Sequence, residues 1–148
     1  MGSRFRLQGG AFTVVNILVD TNIWSLALRR APGSPSPEVV LLDRCLERGE
    51  VVVTTGLILQ ELLQGFRGPA QRRRVIKEFS LLPVIMPEVE DHIEAAALRN
   101  HCRRCGVQVG TIDALLARLA ISHGLHLFTA DKDFQAMAQH CPLALLWA

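Results

Sequence analysis

The stretch Ile17-Leu18-Val19-Asp20-Thr21-Asn22 predicts how the rest of the chain is arranged. The apolar and β-branched residues from Thr13 to Val19, interrupted only by Asn16, are typical of a buried strand. This strand ends on a carboxylate that is followed by two short polar residues. In a parallel α/β sheet, ligands bind just beyond the carboxyl ends of the strands, so Asp20 stands at a candidate functional site. Asp20 could also serve only as the N-cap of the following helix, because aspartate caps helices well.

The length and composition favour one folded domain. The chain has 148 residues, of which 49% are hydrophobic and 20% are charged. This is enough for one buried core but hardly for two, and it excludes a disordered protein. No apolar run reaches the roughly 18 residues that a membrane-spanning helix needs, so no membrane partner is expected. We assign residues 13–148 to the domain and residues 1–12 to an N-terminal extension outside the fold, which lacks the apolar core of a signal peptide.

Strand and helix patterns alternate along the whole chain. Further strands are predicted at Val51–Thr54, Leu81–Met86, His126–Thr129 and Leu143–Trp147. Helices are predicted at Ile23–Leu28 and Glu38–Arg48, from Thr55 or Gly56 to Gln64, from Gly68-Pro69 to about Phe79, at Glu88–Arg104, from Thr111 to His123 and at Phe134–His140. The three prolines and the glycine from Arg29 to Pro37 predict a loop, and Pro83 indicates a sheet edge or the start of a strand. The alternation predicts an α/β fold, a parallel sheet with helices on both faces in a three-layer α/β/α arrangement.

Four acidic residues are placed so that they could meet at the carboxyl end of this sheet. Asp20 and Asp131 each follow a strand, and Glu61 lies in a helix that begins just after another strand. Asp113 is in the first turn of a helix, and its location at the same end is an inference. Each acid also has a structural explanation: Asp113 could stabilise its helix terminus, and Asp131 and Asp133 could be turn residues. Glu61 fits such an explanation least, because a carboxylate beside a leucine-rich face is costly without a partner.

Converging carboxylates have a chemical consequence. They repel one another and raise each other's pKa values unless a cation compensates them. Carboxylate oxygens are hard ligands that select Mg²⁺ or Mn²⁺ over zinc. The chain has 16 basic and 14 acidic side chains, so a surface from which four acids are withdrawn into one site is distinctly basic. Such a surface suits a polyanionic substrate, although solvated helix faces explain the basic residues equally well.

The cysteines suggest a metal half-site but do not complete one. Cys102 and Cys105, with His101 beside them, fall inside a helical stretch, and Cys45 and Cys141 do not form a second close pair. We therefore expect four reduced thiols in an intracellular, cytoplasmic protein.

Taken together, the motifs resemble the PIN domain, and most closely the VapC-type ribonuclease toxins of type II toxin–antitoxin pairs. The resemblance runs from about Val14 to the C-terminus. It rests on Leu18-Val19-Asp20-Thr21-Asn22, on Thr55 with Leu59-Gln60-Glu61-Leu62, on Gly110-Thr111-Ile112-Asp113-Ala114-Leu115-Leu116-Ala117, and on Leu127-Phe128-Thr129-Ala130-Asp131-Lys132-Asp133-Phe134. Each motif alone is weak, but the four in this order and at these separations are specific. The extension before the first strand departs from the family, in which that strand usually starts near the initiator methionine.

The resemblance implies an Mg²⁺- or Mn²⁺-dependent endoribonuclease that cleaves single-stranded or looped RNA. The catalytic and metal-binding acids would be Asp20, Glu61 and Asp113 as a core triad, with Asp131 as the fourth. The supporting residues would be Thr129, which orients water or a carboxylate, Asn22, and with lower rank Asp133. No side-chain nucleophile is required. Candidates for contacts to the RNA backbone are the basic side chains of Arg29, Arg30, Arg67, Arg72, Arg73 and Arg74.

The resemblance also implies partners. The family commonly forms homodimers and acts beside a VapB-like antitoxin, and the mean hydropathy of +0.25 is consistent with an apolar interface. One alternative is a PIN-like module that has lost activity and only binds RNA or protein. Another is a different metal-dependent phosphohydrolase. A haloacid-dehalogenase-like phosphatase would need Asp-x-Asp where this chain has Asp20-Thr21-Asn22, and a receiver domain would need a lysine after its last strand.

Overall fold

The main sheet contains five parallel strands in a computed structural model that describes residues 5–6, 12–13, 15–29 and 33–147. These strands are β3 (Asn16–Val19), β4 (Val51–Thr55), β5 (Val84–Ile85), β6 (His126–Phe128) and β7 (Ala144–Leu146). Their spatial order is β5-β4-β3-β6-β7, and every pairing between them is parallel. A separate antiparallel pair is formed by β1 (Phe5–Arg6) and β2 (Phe12–Thr13). The predicted parallel sheet is confirmed, with β3 at its centre.

Helices connect the parallel strands, as the geometry of parallel pairing requires. Their bounds are α1 (Thr21–Leu28), α2 (Pro37–Glu47), α3 (Gly56–Gly65), α4 (Pro69–Phe79), α5 (Val89–Arg104), α6 (Thr111–Ser122) and α7 (Lys132–Ala138). Together with the sheet they form the three-layer α/β/α arrangement predicted from the sequence. No helix in the described part of the chain is both long enough and apolar enough to cross a membrane.

The centre of the sheet is buried on both faces. Ile17, Leu18 and Val19 of β3 are all 0% exposed. A strand covered by helices on both faces reads as a continuous apolar run and not as an alternating one. This explains why the three residues before Asp20 are all apolar.

The register of the sheet aligns the ends of its two central strands. Val19 is paired with Phe128, the last residue of β6. The backbone N–H of Asp20 then continues the pairing by donating to the carbonyl oxygen of Phe128 at 2.9 Å. Asp20 and Thr129 therefore leave the sheet side by side at its carboxyl end.

Two helices begin two residues earlier than predicted, because a carboxylate caps each of them. The helix predicted from Ile23 begins at Thr21, since Asp20 caps it, and the helix predicted from Phe134 begins at Lys132, since Asp131 caps it. In both cases an acid assigned to the site also defines where a helix starts.

The first strand is shorter than predicted. It spans Asn16–Val19, whereas Phe12–Thr13 pairs with Phe5–Arg6 outside the main sheet. The other residues of the predicted extension, as well as Val14, lie outside the described residues. At the other side of the sheet, the strand predicted at Leu81–Met86 is reduced to Val84–Ile85 and lies at the edge, where Pro83 predicted it.

Candidate active site

Asp20 is held rigidly at the carboxyl end of β3. It is only 7% exposed. Its Oδ1 accepts a hydrogen bond of 2.7 Å from the backbone N–H of Thr21, and its Oδ2 accepts one of 2.8 Å from the hydroxyl of Thr129. The first contact shows that Asp20 is the N-cap of α1. The second contact comes from the end of the neighbouring strand and leaves the carboxylate fixed by both oxygens.

Thr129 connects the ends of the two central strands. In addition to donating to Asp20, its Oγ1 accepts hydrogen bonds from the backbone N–H of Asp131 at 3.0 Å and from Nδ2 of Asn22 at 3.5 Å. The Oδ1 of Asn22 in turn accepts a bond of 3.4 Å from the backbone N–H of Ala130. The predicted supporting residues Thr129 and Asn22 thus link the turn after β6 to Asp20.

Glu61 reaches the same end of the sheet from α3. That helix begins directly after β4, where the hydroxyl of Thr55 caps it by accepting a bond of 3.3 Å from the backbone N–H of Ile58. Oε2 of Glu61 accepts a hydrogen bond of 2.7 Å from the hydroxyl of Thr21. This neutral donor satisfies one oxygen of a carboxylate that lies beside the leucine-rich face of α3. No pattern in the sequence predicted the role of Thr21, because the two residues are 40 positions apart.

Asp113 lies within electrostatic range of the other acids. Burial and, to a smaller extent, the negative charges of Asp20, Asp131, Glu61 and Asp133 together raise the pKa of this carboxyl to about 6. The pKa of Asp20 is also raised, mainly by burial and then by the charges of Glu61 and Asp131, against the lowering effect of its hydrogen bonds from Thr129 and Thr21. The structure thus places Asp113 near these acids, and its role in the site stays a prediction. We call Asp20, Glu61, Asp113 and Asp131 the acidic cluster.

Asp131 has a capping role within the cluster. It is the N-cap of α7, and its Oδ1 accepts a hydrogen bond of 2.9 Å from the backbone N–H of Asp133. Asp133 itself is exposed and acts on Asp113 only through its charge. The structure thus places Asp133 at the margin of the cluster.

The chemistry of the acidic cluster fits a divalent cation. Four carboxylates supply hard oxygen donors, and the raised pKa values record repulsion that a cation would relieve. Among the described residues, however, no three Asp, Glu, His or Cys side chains are arranged so that they could hold a metal ion as they stand. Metal binding at this end of the sheet therefore requires the carboxylates to draw closer together.

The basic residues proposed from the sequence differ in their surroundings. The guanidinium carbon of Arg29 lies 4.7 Å from the centre of the Phe66 ring. Arg74 pairs with Glu78 at 3.2 Å and donates to the carbonyl oxygen of Leu28 at 3.3 Å. All five described candidates are exposed, including Arg67, Arg72 and Arg73, whereas Arg30 lies outside the described residues. Arg29 and Arg74 thus already have contacts within the protein, and the predicted RNA contacts stay predictions.

The cysteines are all free thiols. Cys102 is 0% exposed, and burial raises its pKa and that of Cys45 and Cys141. Cys105 Sγ lies 3.9 Å from Nε2 of His101.

Comparison with known proteins identifies the family. The PIN domain family matches residues 17–139. The chain is 32% identical over 128 residues to VapC ribonuclease Mb1587 of Mycobacterium bovis, a match that covers 83% of this chain and 92% of the relative. The same identity and coverage hold for ribonuclease VapC11 of Mycobacterium tuberculosis.

Solved structures share the fold at lower identity. VapBC2 from Rickettsia felis, bound to a DNA fragment from its promoter, has a TM-score of 0.72 at 20% identity over 90% of this chain and 99% of the solved one. The Mycobacterium tuberculosis toxin VapC20, described as cleaving the sarcin–ricin loop, has a TM-score of 0.63 at 21% identity over 86% and 98% of the two chains. These likenesses confirm the architecture. The match to the PIN domain family over residues 17–139 excludes the alternatives of a haloacid-dehalogenase-like phosphatase or a receiver domain. The chain belongs to the PIN-domain family.

Proposed function

We propose that this chain is a divalent-metal-dependent endoribonuclease that cleaves phosphodiester bonds in single-stranded or looped RNA. The observation that carries the proposal is that Thr21 holds Asp20 and Glu61 together at the carboxyl end of the sheet, by two hydrogen bonds of 2.7 Å, while Asp113 and Asp131 lie close enough to act on Asp20 or on each other through their negative charges. A fold maintains such repulsion at a cost, which a bound cation would offset. The similarity to proteins named as VapC ribonucleases supports RNA as that substrate.

The residues of the site would have two roles, metal binding and the orientation of the metal ligands. Asp20, Glu61, Asp113 and Asp131 would hold Mg²⁺ or Mn²⁺. The ion supplies charge that stabilises a phosphate oxygen and acidifies a bound water. Thr21 orients Glu61, and Thr129 orients Asp20, each through a hydroxyl donor that leaves the negative charge of the carboxylate in place.

A cleavage assay with a charge-neutral variant tests the proposal. Wild-type protein should cut single-stranded RNA in Mn²⁺ or Mg²⁺ and stop when EDTA is added. Asp20→Asn should lose at least the roughly hundredfold that a misplaced ligand costs, while circular dichroism shows an intact fold. Asn keeps the N-cap that Asp20 provides to α1, so its folding is preserved. Wild-type protein that binds RNA but never cuts it with either metal would establish the alternative, an inactive binding module.

We also propose that a VapB-like antitoxin controls the enzyme. The structural neighbours include VapBC complexes, and an acidic cluster at a sheet end suits a basic side chain from a partner. An arginine suits this place better than a lysine, because its planar fork can bridge two carboxylates. Inhibition by the neighbouring-gene product should weaken as Mn²⁺ is raised, since cation and arginine compete for the same charge. Inhibition that is equally strong at all metal concentrations would contradict this placement.

A homodimer is the proposed state of the free chain. Five apolar side chains near the edge strand β5 and the start of α5 are at least half exposed, namely Leu81 at 81%, Val84 at 50%, Met86 at 73%, Val89 at 77% and Ile93 at 56%. An exposed apolar patch of this kind is typical of an interface. Light scattering should give twice the 16.4 kDa chain mass, and Val89→Glu should shift it to the monomer. The RNA substrate and the four free thiols suit a cytoplasmic location.

A further inference from the structure

A large cavity opens beside the acidic cluster, on the side of α5. Its volume is about 610 Å³, and its lining residues are Arg99, Arg103, Gln108, Val109, Gly110 and Asp133. This volume lies within the range of roughly 300–1,000 Å³ that small-ligand sites occupy. The cavity adjoins the cluster directly, because a Cβ atom placed on Gly110 would lie 3.9 Å from Oδ2 of Asp113. The other link is Asp133, which lines the cavity and lies two residues after Asp131 of the cluster.

Two arginines give the cavity its charge. Arg99 and Arg103 are four residues apart on α5, so their side chains leave the same face of the helix. Arg99 Nε donates a hydrogen bond of 2.8 Å to the carbonyl oxygen of Val109, which anchors the guanidinium against the segment before α6. This contact uses Nε and leaves the two terminal nitrogens of Arg99 for a ligand. Arg103 is exposed and pairs with no carboxylate among the described residues.

Arg99 and Arg103 enter the cavity from α5, whereas Gly110 and Asp133 belong to the segments that adjoin Asp113 and Asp131. The cavity therefore has an arginine end, on α5, and an end that borders the acidic cluster. A ligand that spans both ends needs negative charge at the arginine end as well as at the end that would carry a cation. A polyphosphodiester chain has this repeated charge, whereas a single small anion does not.

We propose that this cavity binds a backbone phosphate of the RNA next to the bond that is cut, through the guanidinium groups of Arg99 and Arg103. The proposal rests on the RNA-cleaving function proposed above and specifies where the chain of the substrate lies. Planar guanidinium groups bind phosphate oxygens in pairs, which fixes position as well as adding affinity. Anchored by Val109, Arg99 enters binding already ordered and loses little side-chain entropy. The path of the RNA would thus run along α5.

RNA binding measured without metal tests this subsite independently of cleavage. Fluorescence anisotropy of a short labelled single-stranded RNA, measured in EDTA over a series of KCl concentrations, reports the affinity and its salt dependence. Arg103→Gln should weaken binding about five- to tenfold, the loss expected for one charge-assisted contact. The slope of log affinity against log salt should fall by about 0.7, the value for one phosphate contact to a single strand. Arg103→Lys should lose less affinity, because it keeps the charge but lacks the fork.

Arg104→Gln is the matched control, since Arg104 is the exposed neighbour in the same helix turn but does not line the cavity. It removes the same charge and should leave the slope unchanged. Equal losses in the two glutamine variants, or none in either, would overturn the subsite. The outcome is independent of catalysis, because wild-type cleavage in Mn²⁺ is measured separately: an enzyme that cuts RNA without an Arg103-specific effect retains the proposed function and loses only the subsite.

Discussion

Thr21 donates hydrogen bonds to two acids of the cluster: its hydroxyl donates to Glu61 Oε2 at 2.7 Å, and its backbone N–H donates to Asp20 Oδ1 at 2.7 Å. The two carboxylates come from different helix–strand units, so α1 sets their relative positions. Both donors are neutral. They therefore hold the carboxylate oxygens in place and leave the negative charge that attracts a divalent cation. A lysine or arginine in the same position would cancel that charge.

Removing the hydroxyl of Thr21 should weaken metal binding. In Thr21→Val, Glu61 loses its donor and becomes free to rotate away from Asp20. We expect Mn²⁺ affinity, measured by isothermal titration calorimetry, to fall about tenfold, which is the lower end of the effect of losing a residue that orients a ligand. Thr21→Ser keeps the donor and should retain most of the affinity. A valine variant that binds Mn²⁺ as tightly as the wild type would show that Glu61 needs no orientation by Thr21.

Thr129 should matter for stability as well as for the site. Its hydroxyl satisfies Oδ2 of Asp20, a side chain that is 7% exposed. Thr129→Val leaves that buried oxygen without its donor and should lower the free energy of unfolding by about 1–3 kcal/mol. Urea denaturation in EDTA measures this loss. Thr129→Ser keeps the hydroxyl and should be clearly more stable than the valine variant, whereas equal stability of the two would exclude the hydrogen bond as the cause.

The raised pKa of Asp113 predicts how the stability of the metal-free protein depends on pH. A carboxyl group whose pKa is about 6 in the folded state, against 3.8 for the model group, binds its proton more tightly when folded. Its contribution to stability is therefore present below the unfolded pKa and is lost as the pH rises through the folded one. Asp113→Asn removes the titrating carboxyl group, and with it the loss of stability that follows when this group becomes charged. The difference in melting temperature between variant and wild type should be small near pH 4, grow in favour of the variant up to about pH 6, and then level off.

Thermal unfolding in EDTA across this pH range provides the measurement. The control is Glu47→Gln, which removes an exposed carboxylate at the end of α2, before β4 and thus away from the carboxyl end of the sheet. It should show no comparable gain between pH 4 and pH 6. If the two variants gain stability equally, general charge reduction explains the effect, and the repulsion around Asp113 does not.

The sequence was sufficient to predict the strands and helices whose signals come from neighbouring residues. The apolar run before Asp20 indicated a strand buried on both faces, and Pro83 indicated an edge strand, as the structure shows. The convergence of the acids could also be predicted, because parallel strands must place the residues that follow them at one end of the sheet. Helix starts were displaced by two residues at Thr21 and Lys132, where the acids assigned to the site turned out to be caps as well.

The features that were not predicted depend on contacts between distant residues. The bond from Thr21 to Glu61 and the bond from Arg99 to Val109 join side chains whose spacing in the sequence carries no recognisable period. The cavity beside α5 was missed for the same reason, since its lining comes from α5, the segment before α6 and the start of α7. The basic run at Arg72 to Arg74 does have a local signal, and the RNA contacts expected from it on α4 stay a prediction.

Asp131 allows capping and metal binding to be measured separately. Its Oδ1 accepts from the backbone N–H of Asp133, so part of its role is to start α7. Asn is as good an N-cap as Asp, whereas Ala is not, and losing the cap costs about 1 kcal/mol. Asp131→Asn should therefore keep the stability of the wild type in EDTA but lose stabilisation by Mn²⁺, because it removes a charged ligand.

Asp131→Ala should show both losses, and thermal unfolding with and without Mn²⁺ distinguishes them. The same variants assayed for RNA cleavage should both be impaired, although only the alanine variant is less stable. A wild-type response to Mn²⁺ and full cleavage by Asp131→Asn would mean that this acid is a helix cap alone. The metal would then have to be held by Asp20, Glu61 and Asp113, with the charge of Asp131 acting on Asp113 only as a neighbour.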